Sequence, residues 1–160
     1  FLFALKIHVI ALSHKIEPWA QQAVDQFQKR FPNDWKLTIK ELKPEDRSAG
    51  KPVDQILAKE AERIRAAIPN GARVVALDER GERHTSKALA EQLQKWHNSS
   101  ETLCLLIGSA DGLDETLKQQ CQGMWRLSDL TLPHALARVL VVEALYRAFS
   151  ITIGHPYHRE

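Results

Sequence analysis

An α/β sandwich built on a largely parallel sheet is the fold class this sequence predicts, and three observations carry it. Short apolar runs with strand character alternate with amphipathic segments of helical spacing along the whole 160 residues. The run of residues 103–107 (LCLLI) is apolar without alternation, as in a strand covered on both faces. Finally, three of the apolar runs end in polar or glycine-rich loops, after Leu77, at residues 108–112 and at residues 127–132. In parallel sheets such strand ends are where ligands gather.

Taken in order, residues 5–12 read as the first strand. Ser13, His14 and Lys15 make a turn, and Pro18 suits the first turn of a helix whose Trp19, Ala20, Ala23, Val24, Phe27 and Phe31 recur at helical spacing. Pro32, Asn33 and Asp34 stop that helix. Trp35, Leu37 and Ile39 alternate with polar residues, which predicts a second strand. Residues 43–51 carry charges, a serine and a glycine, with Pro44 and Pro52 at their flanks, and read as an exposed, mobile loop. Val53, Ile56, Leu57, Ile64 and Ile68 mark a second amphipathic helix, closed by a Pro69-Asn70-Gly71 turn. Residues 72–77 (ARVVAL) form a short buried strand that runs into a loop at Asp78, Glu79, Arg80 and Gly81. Thr85 or Ser86 caps a third helix carrying Leu89, Leu93 and Trp96. After residues 103–107 come a glycine turn, a helical segment, a short run at residues 124–127, a polar loop, and a helix from Pro133 to about residue 153.

The totals bound the function classes. The length suits one domain with a real core. Hydrophobic residues at 44% and charged residues at 26% are ordinary for a globular chain, and a net charge of +2 neither demands a nucleic-acid partner nor forbids a local basic patch. Cys104 and Cys121 lack metal-ligand spacing, which points to reduced thiols and a cytoplasmic location. The apolar opening FLFALKIHVIAL is too short to cross a bilayer and lacks the basic flank and cleavage site of a signal peptide, so no membrane segment is expected. His155 and His158 have no third ligand at suitable spacing, so no metal is expected. No nucleophile elbow or paired-carboxylate pattern is present.

Several stretches carry two readings each. Gly108-Ser109-Ala110-Asp111-Gly112 is neither a dinucleotide fingerprint nor a P-loop. It is a plain strand-to-helix turn, or a place where the backbone meets a ligand. Ser128 and Asp129 cap the last helix or hold a loop. In that helix Leu136, Val139, Leu140, Val141, Val142, Ala144, Leu145, Ala148 and Phe149 cover most of the circumference, so one side meets the sheet and another a second copy of the chain. Arg138 and Arg147 interrupt it, and each is either paired, as Glu143 with Arg147 at i, i+4, or aimed at a pocket. The tail, residues 154–160, places His155, Tyr157, His158 and Arg159 together, side chains suited to stacking on bases and binding phosphate.

Together these residues resemble a known family. The resemblance rests on Leu5-Lys6-Ile7, on Leu77-Asp78-Glu79 with Gly81 and Ser86, and on Leu106-Ile107-Gly108 with Gly112. It rests further on Leu127-Ser128 with Leu130-Thr131-Leu132-Pro133-His134, Arg138, Tyr146-Arg147-Ala148, and the terminal Tyr157-His158-Arg159-Glu160. The chain is similar, from residue 5 to its last residue, to the small bacterial SPOUT methyltransferases that methylate N3 of a pseudouridine in large-subunit (23S) ribosomal RNA. The resemblance implies an α/β-knot, a single domain over residues 1–160 with a trefoil knot within about residues 103–153. Local folding rules argue against such a knot. It implies a homodimer acting on the ribosome, with S-adenosyl-L-methionine bound by Leu77, Gly108, Leu127, Ser128, Asp129, Leu130, Thr131 and Leu132. It points to His158, Tyr157 and Arg138 for placing the substrate, with Arg138 and Arg159 contacting RNA. His134 joins them as a candidate for the group that takes the N3 proton. A SPOUT methyltransferase with another RNA target, or a dimeric ribosome-binding protein of this fold with weakened catalysis, are the competing readings.

One departure is visible. The family usually has two consecutive glycines where this chain has Gly108-Ser109. If the second position needs positive φ, a serine there costs about 1 kcal/mol. If it does not, the cost vanishes and the hydroxyl is free to bond the cofactor.

Overall fold

The alternation of apolar runs resolves into five strands and five helices in a computed structural model that describes residues 3–159. Phe1, Leu2 and Glu160, the last of which closes the Tyr157-His158-Arg159-Glu160 motif, lie outside the described residues. In chain order the elements are β1 (Lys6–Leu12), α1 (Pro18–Gln28), β2 (Leu37–Leu42), α2 (Val53–Ala67), β3 (Arg73–Arg83), α3 (Ser86–Asn98), β4 (Thr102–Ile107), α4 (Glu115–Gln119), β5 (Gly123–Arg126) and α5 (His134–Thr152). All strand pairings are parallel, and the sheet order is β2-β1-β4-β3-β5. The predicted α/β sandwich with a parallel sheet is what forms.

The central strands show why. In β1 and β4 almost every residue is buried, and successive side chains alternate between two cores. Ile7, Val9, Leu103 and Leu105 face α1, α3 and α5, where Val24, Leu93, Val142 and Leu145 meet them. Ile10, Leu12, Cys104 and Leu106 face α2 and α4 through Ile64 and Leu117. The run at residues 103–107 is apolar throughout because both of its faces are covered. Both cysteines are free thiols, Cys104 buried and Cys121 half-buried.

Helix ends follow the sequence signals. Pro18 stands in the first turn of α1, and the Thr85 hydroxyl accepts from the Ala88 N–H at 3.0 Å. Trp35 differs from the reading. It sits in a short 3₁₀ turn at Asn33–Trp35 rather than in the second strand, and its ring stacks on His97.

Two larger departures bear on the site. The strand predicted to stop at Leu77 continues to Arg83. Leu77 and Glu82 both pair with Trp125, so residues 78–81 are looped out of a ladder that then resumes. Gly81 permits the return, because a Cβ there would lie 2.5 Å from the Trp125 carbonyl carbon. Residues 43–51 are not a free loop either. Glu60 on α2 is 1% exposed, and its carboxylate draws the loop down: the Glu45 N–H and the Arg47 guanidinium donate to it at 3.0 and 2.8 Å. A carboxylate so deep needs partners, and this loop supplies them.

Among the described residues no helix is long and apolar enough to cross a membrane, and no cluster of three His, Cys, Asp or Glu side chains is placed to hold a metal ion.

Candidate functional site: a cleft at the carboxyl ends of the strands

The carboxyl ends of all five parallel strands open on one cleft of about 1810 Å³. Its walls include Leu77 and the looped-out residues 78–80, the turn at residues 108–112, and the loop that runs from Arg126 into the start of α5. These are the three loops singled out from sequence, and they lie side by side. Every residue expected to meet the cofactor, Leu77, Gly108, Leu127, Ser128, Asp129, Leu130, Thr131 and Leu132, lines this cleft. Residues 12–17, Trp19 and the 43–48 loop close its other side.

The turn at residues 108–112 is built tightly. Gly112 has φ +85°, and its N–H donates to the Ser109 carbonyl at 2.9 Å. A Cβ on Gly108 would lie 2.5 Å from the Gly112 oxygen, so glycine is needed at position 108 for the turn to close on itself. The only non-glycine residues with positive φ among the described residues are Ser100 and Arg159, so Ser109 is unstrained. Its hydroxyl is also committed: it donates to Glu60 at 2.8 Å and accepts from the Arg47 Nη2 at 2.8 Å. Arg47 Nε reaches Asp111 at 3.2 Å.

On the other side of the turn stands His134, the first residue of α5. Its Nδ1 lies 3.2 Å from the Gly108 carbonyl and its Nε2 lies 3.1 Å from Arg138 Nη2. A carbonyl only accepts and a guanidinium only donates, so the tautomer is fixed: Nδ1–H donates to Gly108 and Nε2 accepts from Arg138. Burial first, and then the Arg138 charge, hold the His134 pKa below its ordinary value. With both nitrogens engaged, His134 is not available to take a substrate proton.

Arg138 departs from the sequence expectation of an RNA-contacting residue. It is 2% exposed and bound at Nη1 to Glu41 at 2.8 Å, which leaves it no surface to offer RNA. A cation on an otherwise apolar helix face had to be paired or exposed, and it is paired.

The loop at residues 128–132 is held without capping α5, whose N-cap is Pro133. The Ser128 hydroxyl accepts from the Leu130 N–H at 2.9 Å, and Asp129 pairs with Arg126 at 2.9 Å. Leu130 is consequently 76% exposed, an apolar side chain standing free in the cleft. Beneath the looped-out residues Asp78 pairs with Lys118 at 2.8 Å, and these contacts together with the Arg80 N–H hold its carboxyl below the usual range against the opposing effect of burial.

The tail is elsewhere. It folds back along the carboxyl half of α5, beside Glu143 to Ser150, which puts it roughly 14 to 24 Å along the helix axis from His134 at about 1.5 Å per residue. Tyr157 packs edge-on against Tyr146 with ring centres 4.9 Å apart, beneath the Arg147 guanidinium, and donates to Glu143 at 2.7 Å. Burial and then the Glu143 carboxylate push its pKa up. Glu143 and Arg147 form the i, i+4 pair at 2.8 Å. The Ser150 hydroxyl donates to the Arg147 carbonyl at 2.6 Å, so toward His158 Nδ1, 3.4 Å away, it can only accept.

The residues that sequence reasoning missed are Arg47, Glu60 and Glu41. Each is an ordinary charge in sequence, and only the fold brings them under the turn.

An apolar wall of leucines beside a glycine turn fits an adenosyl group, which needs a flat apolar slot and main-chain partners at its edge. Residues 5–158 match the family model described as "Predicted SPOUT methyltransferase". The chain is 53% identical over 156 residues to ribosomal RNA large subunit methyltransferase H of Verminephrobacter eiseniae, and 51% identical over 156 residues to the protein of that name from Methylibium petroleiphilum. Each match covers 98% of this chain and 100% of the relative. The protein of that name from Paraburkholderia xenovorans is 46% identical over 155 residues, covering 97% of this chain and 99% of the relative. The shared loops, their placement around one cleft and the full-length match lead to one conclusion: this chain belongs to the SPOUT methyltransferase family.

Proposed function

We propose that this chain is a homodimeric, cytoplasmic enzyme that transfers the methyl group of S-adenosyl-L-methionine to N3 of a pseudouridine in 23S ribosomal RNA on the assembled ribosome. The observation that carries the reading is the meeting of the loops after β3, β4 and β5 in one cleft. The relatives, named for large-subunit ribosomal RNA methylation, support the substrate class.

Leu77, Leu127, Leu130 and Leu132 form the adenine slot, and Gly108, Ser128, Asp129 and Thr131 offer main-chain and short polar groups at its edge. The methyl arrives activated on a sulfonium, so the protein's work is placement and proton removal. The N3 of pseudouridine is protonated at neutral pH and needs a proton acceptor. His134 has both ring nitrogens engaged and the Tyr157 pKa is raised, which leaves the His158 Nε2 for the task. Tyr157 places the base, Arg159 contacts RNA phosphate, and Arg138 acts from behind the cleft through His134.

The tail packs against Glu143, Tyr146 and Arg147, and none of its described residues lines the cleft of its own chain. It serves the cleft of a partner in a two-fold pair whose α5 helices run antiparallel. The exposed Leu136 and Leu140, at i, i+4 on α5, support such a contact. The fold of residues 103–153 is read as the family's trefoil knot.

The test is incubation of ribosomes with the protein and isotopically labelled donor, followed by mass spectrometry of the released nucleosides. N3-methylpseudouridine from the large-subunit RNA is the expected product. Label in another nucleoside would assign a different RNA target, and ribosome binding without donor uptake would indicate a non-catalytic member of the fold.

A further inference from the structure

The turn at residues 108–112 is gripped from two sides, and both grips originate in one stretch of chain. On one side Arg47 spans it: Nη2 binds the Ser109 hydroxyl at 2.8 Å and Nε binds Asp111 at 3.2 Å, while Nη1 is anchored on the buried Glu60 at 2.8 Å and on the Glu45 carbonyl at 2.8 Å. On the other side Glu41 holds Arg138, Arg138 holds His134, and His134 holds the Gly108 carbonyl. Glu41 is the penultimate residue of β2 and Arg47 lies five residues after that strand's end, so the end of β2 and the connection to α2 together supply an anchor for each side.

Neither guanidinium is placed to bind a ligand. All three Arg47 nitrogens are engaged within the protein. Arg138 is sealed from solvent, and its Nε has no partner among the described residues. An unpaired buried donor is destabilising, and an apolar side chain at that place would avoid the cost. The arrangement spends stability and obtains in return a fixed imidazole tautomer and a fixed Gly108 carbonyl.

Resting on the donor reading of the cleft, we propose that Arg47 and Arg138 are positioning residues that hold the turn at residues 108–112 in its donor-binding geometry from opposite sides, through Ser109 and His134. The β2–α2 connection is the strap that joins the two grips. Donor affinity therefore depends on residues that never touch the donor.

The experiment pairs calorimetric titration of S-adenosylmethionine into the full chain with hydrogen exchange of the amides of residues 108–113 in the absence of ligand. Ser109→Ala, Arg47→Ala, Arg47→Lys and the double alanine variant are compared with the wild type. Ser109→Ala weakens binding by about threefold and Arg47→Ala by about tenfold, the losses expected of one neutral and several charge-assisted bonds. The double variant loses less than the two single losses combined, because the hydroxyl and the guanidinium bond each other and share the Glu60 carboxylate. Arg47→Lys restores only part, since an ammonium cannot span Ser109 and Asp111 together. Exchange in the turn quickens in the same order while β1 and β4 stay protected. Unchanged affinity and unchanged turn exchange in folded Ser109→Ala and Arg47→Ala overturn the proposal, as does a strictly additive double variant. If Arg47→Ala does not fold, Ser109→Ala decides, because it keeps the Arg47–Glu60 pair. If the wild type takes up no donor, the donor reading of the cleft fails, and the ligand-free exchange still decides whether Arg47 holds the turn.

Discussion

His134 donates its Nδ1–H to the Gly108 carbonyl across 3.2 Å, which ties the first residue of α5 to the residue that follows β4. The ring has to be neutral, because its Nε2 accepts from Arg138 at 3.1 Å. Because burial and Arg138 lower the His134 pKa, the unfolded chain binds a proton that the folded chain refuses as pH falls below the ordinary histidine value of 6.5. The contribution of His134 to stability is therefore complete above 6.5 and is lost as pH falls toward the lowered folded value. His8, also lowered by burial and by Lys6 and Lys36, acts in the same direction. The checking measurement is the difference in Tm between wild type and His134→Gln across pH 5 to 7.5 (roughly the histidine range). That difference should shrink as the solution is acidified.

Gly81→Ala tests the looped-out segment of β3. The added methyl falls 2.5 Å from the Trp125 carbonyl carbon and 2.7 Å from its nitrogen, so backbone has to move. A loss of about 1–3 kcal/mol is expected in denaturant titration. Displacement of Asp78 from Lys118 should follow, visible as broadened resonances at the cleft wall.

Trp19 stands 54% exposed on the rim of the cleft, with Lys15 and Lys43 also in the lining. An exposed indole beside lysines is suited to stacking on an unpaired base, worth about 1–3 kcal/mol per base. Trp19→Ala should cut methyl transfer to ribosomes by roughly tenfold or more. Its affinity for S-adenosylmethionine should stay at the wild-type value. Equal loss of both would show that the indole supports the fold instead.

Deleting residues 155–160 should abolish transfer and leave donor uptake intact. Gly108→Trp should abolish donor uptake, and transfer with it, because its side chain has no room beside Gly112. Mixed in one solution, the two inactive chains should regain activity as hybrid dimers. No recovery, with hybrids confirmed by native mass spectrometry, would place tail and cleft in the same subunit.

Leu136→Lys with Leu140→Lys puts two charges on the exposed stripe of α5. Sedimentation should show the dimer lost, and methyl transfer should fall with it, while the far-ultraviolet spectrum holds.

Much of this was legible beforehand, for physical reasons that differ by element. The central strands declare themselves because residues buried on both faces must be apolar, as at 103–107. The three cleft loops were visible as breaks in those runs. Hidden from a linear reading were the partners of charges. Nothing local distinguishes Glu60, which is buried, from Glu62 on the same helix, which is exposed. The 43–51 loop looked mobile because its charges seemed meant for water, and one of them was meant for Glu60. Arg138 was identified as an exception to its helix but aimed the wrong way, since only the strand order brings Glu41 beneath it. The residues that the resemblance named for the cofactor line one cleft, and it said nothing of what supports them.

The sheet order also governs how the molecule can be made. β4 lies between β1 and β3, and β3 pairs with no strand that precedes it in the chain. A nascent polypeptide that has emerged as far as residue 100 can pair β1 with β2 and nothing more. Its β3 would hang with both edges bare until the last third is synthesised and β4 slots into the gap. Such non-local closure is slow and leaves sticky intermediates. For this chain synthesis and folding cannot overlap much: the sheet becomes continuous only when its late strands arrive, so interrupted translation would yield aggregation-prone fragments and no usable half-domain.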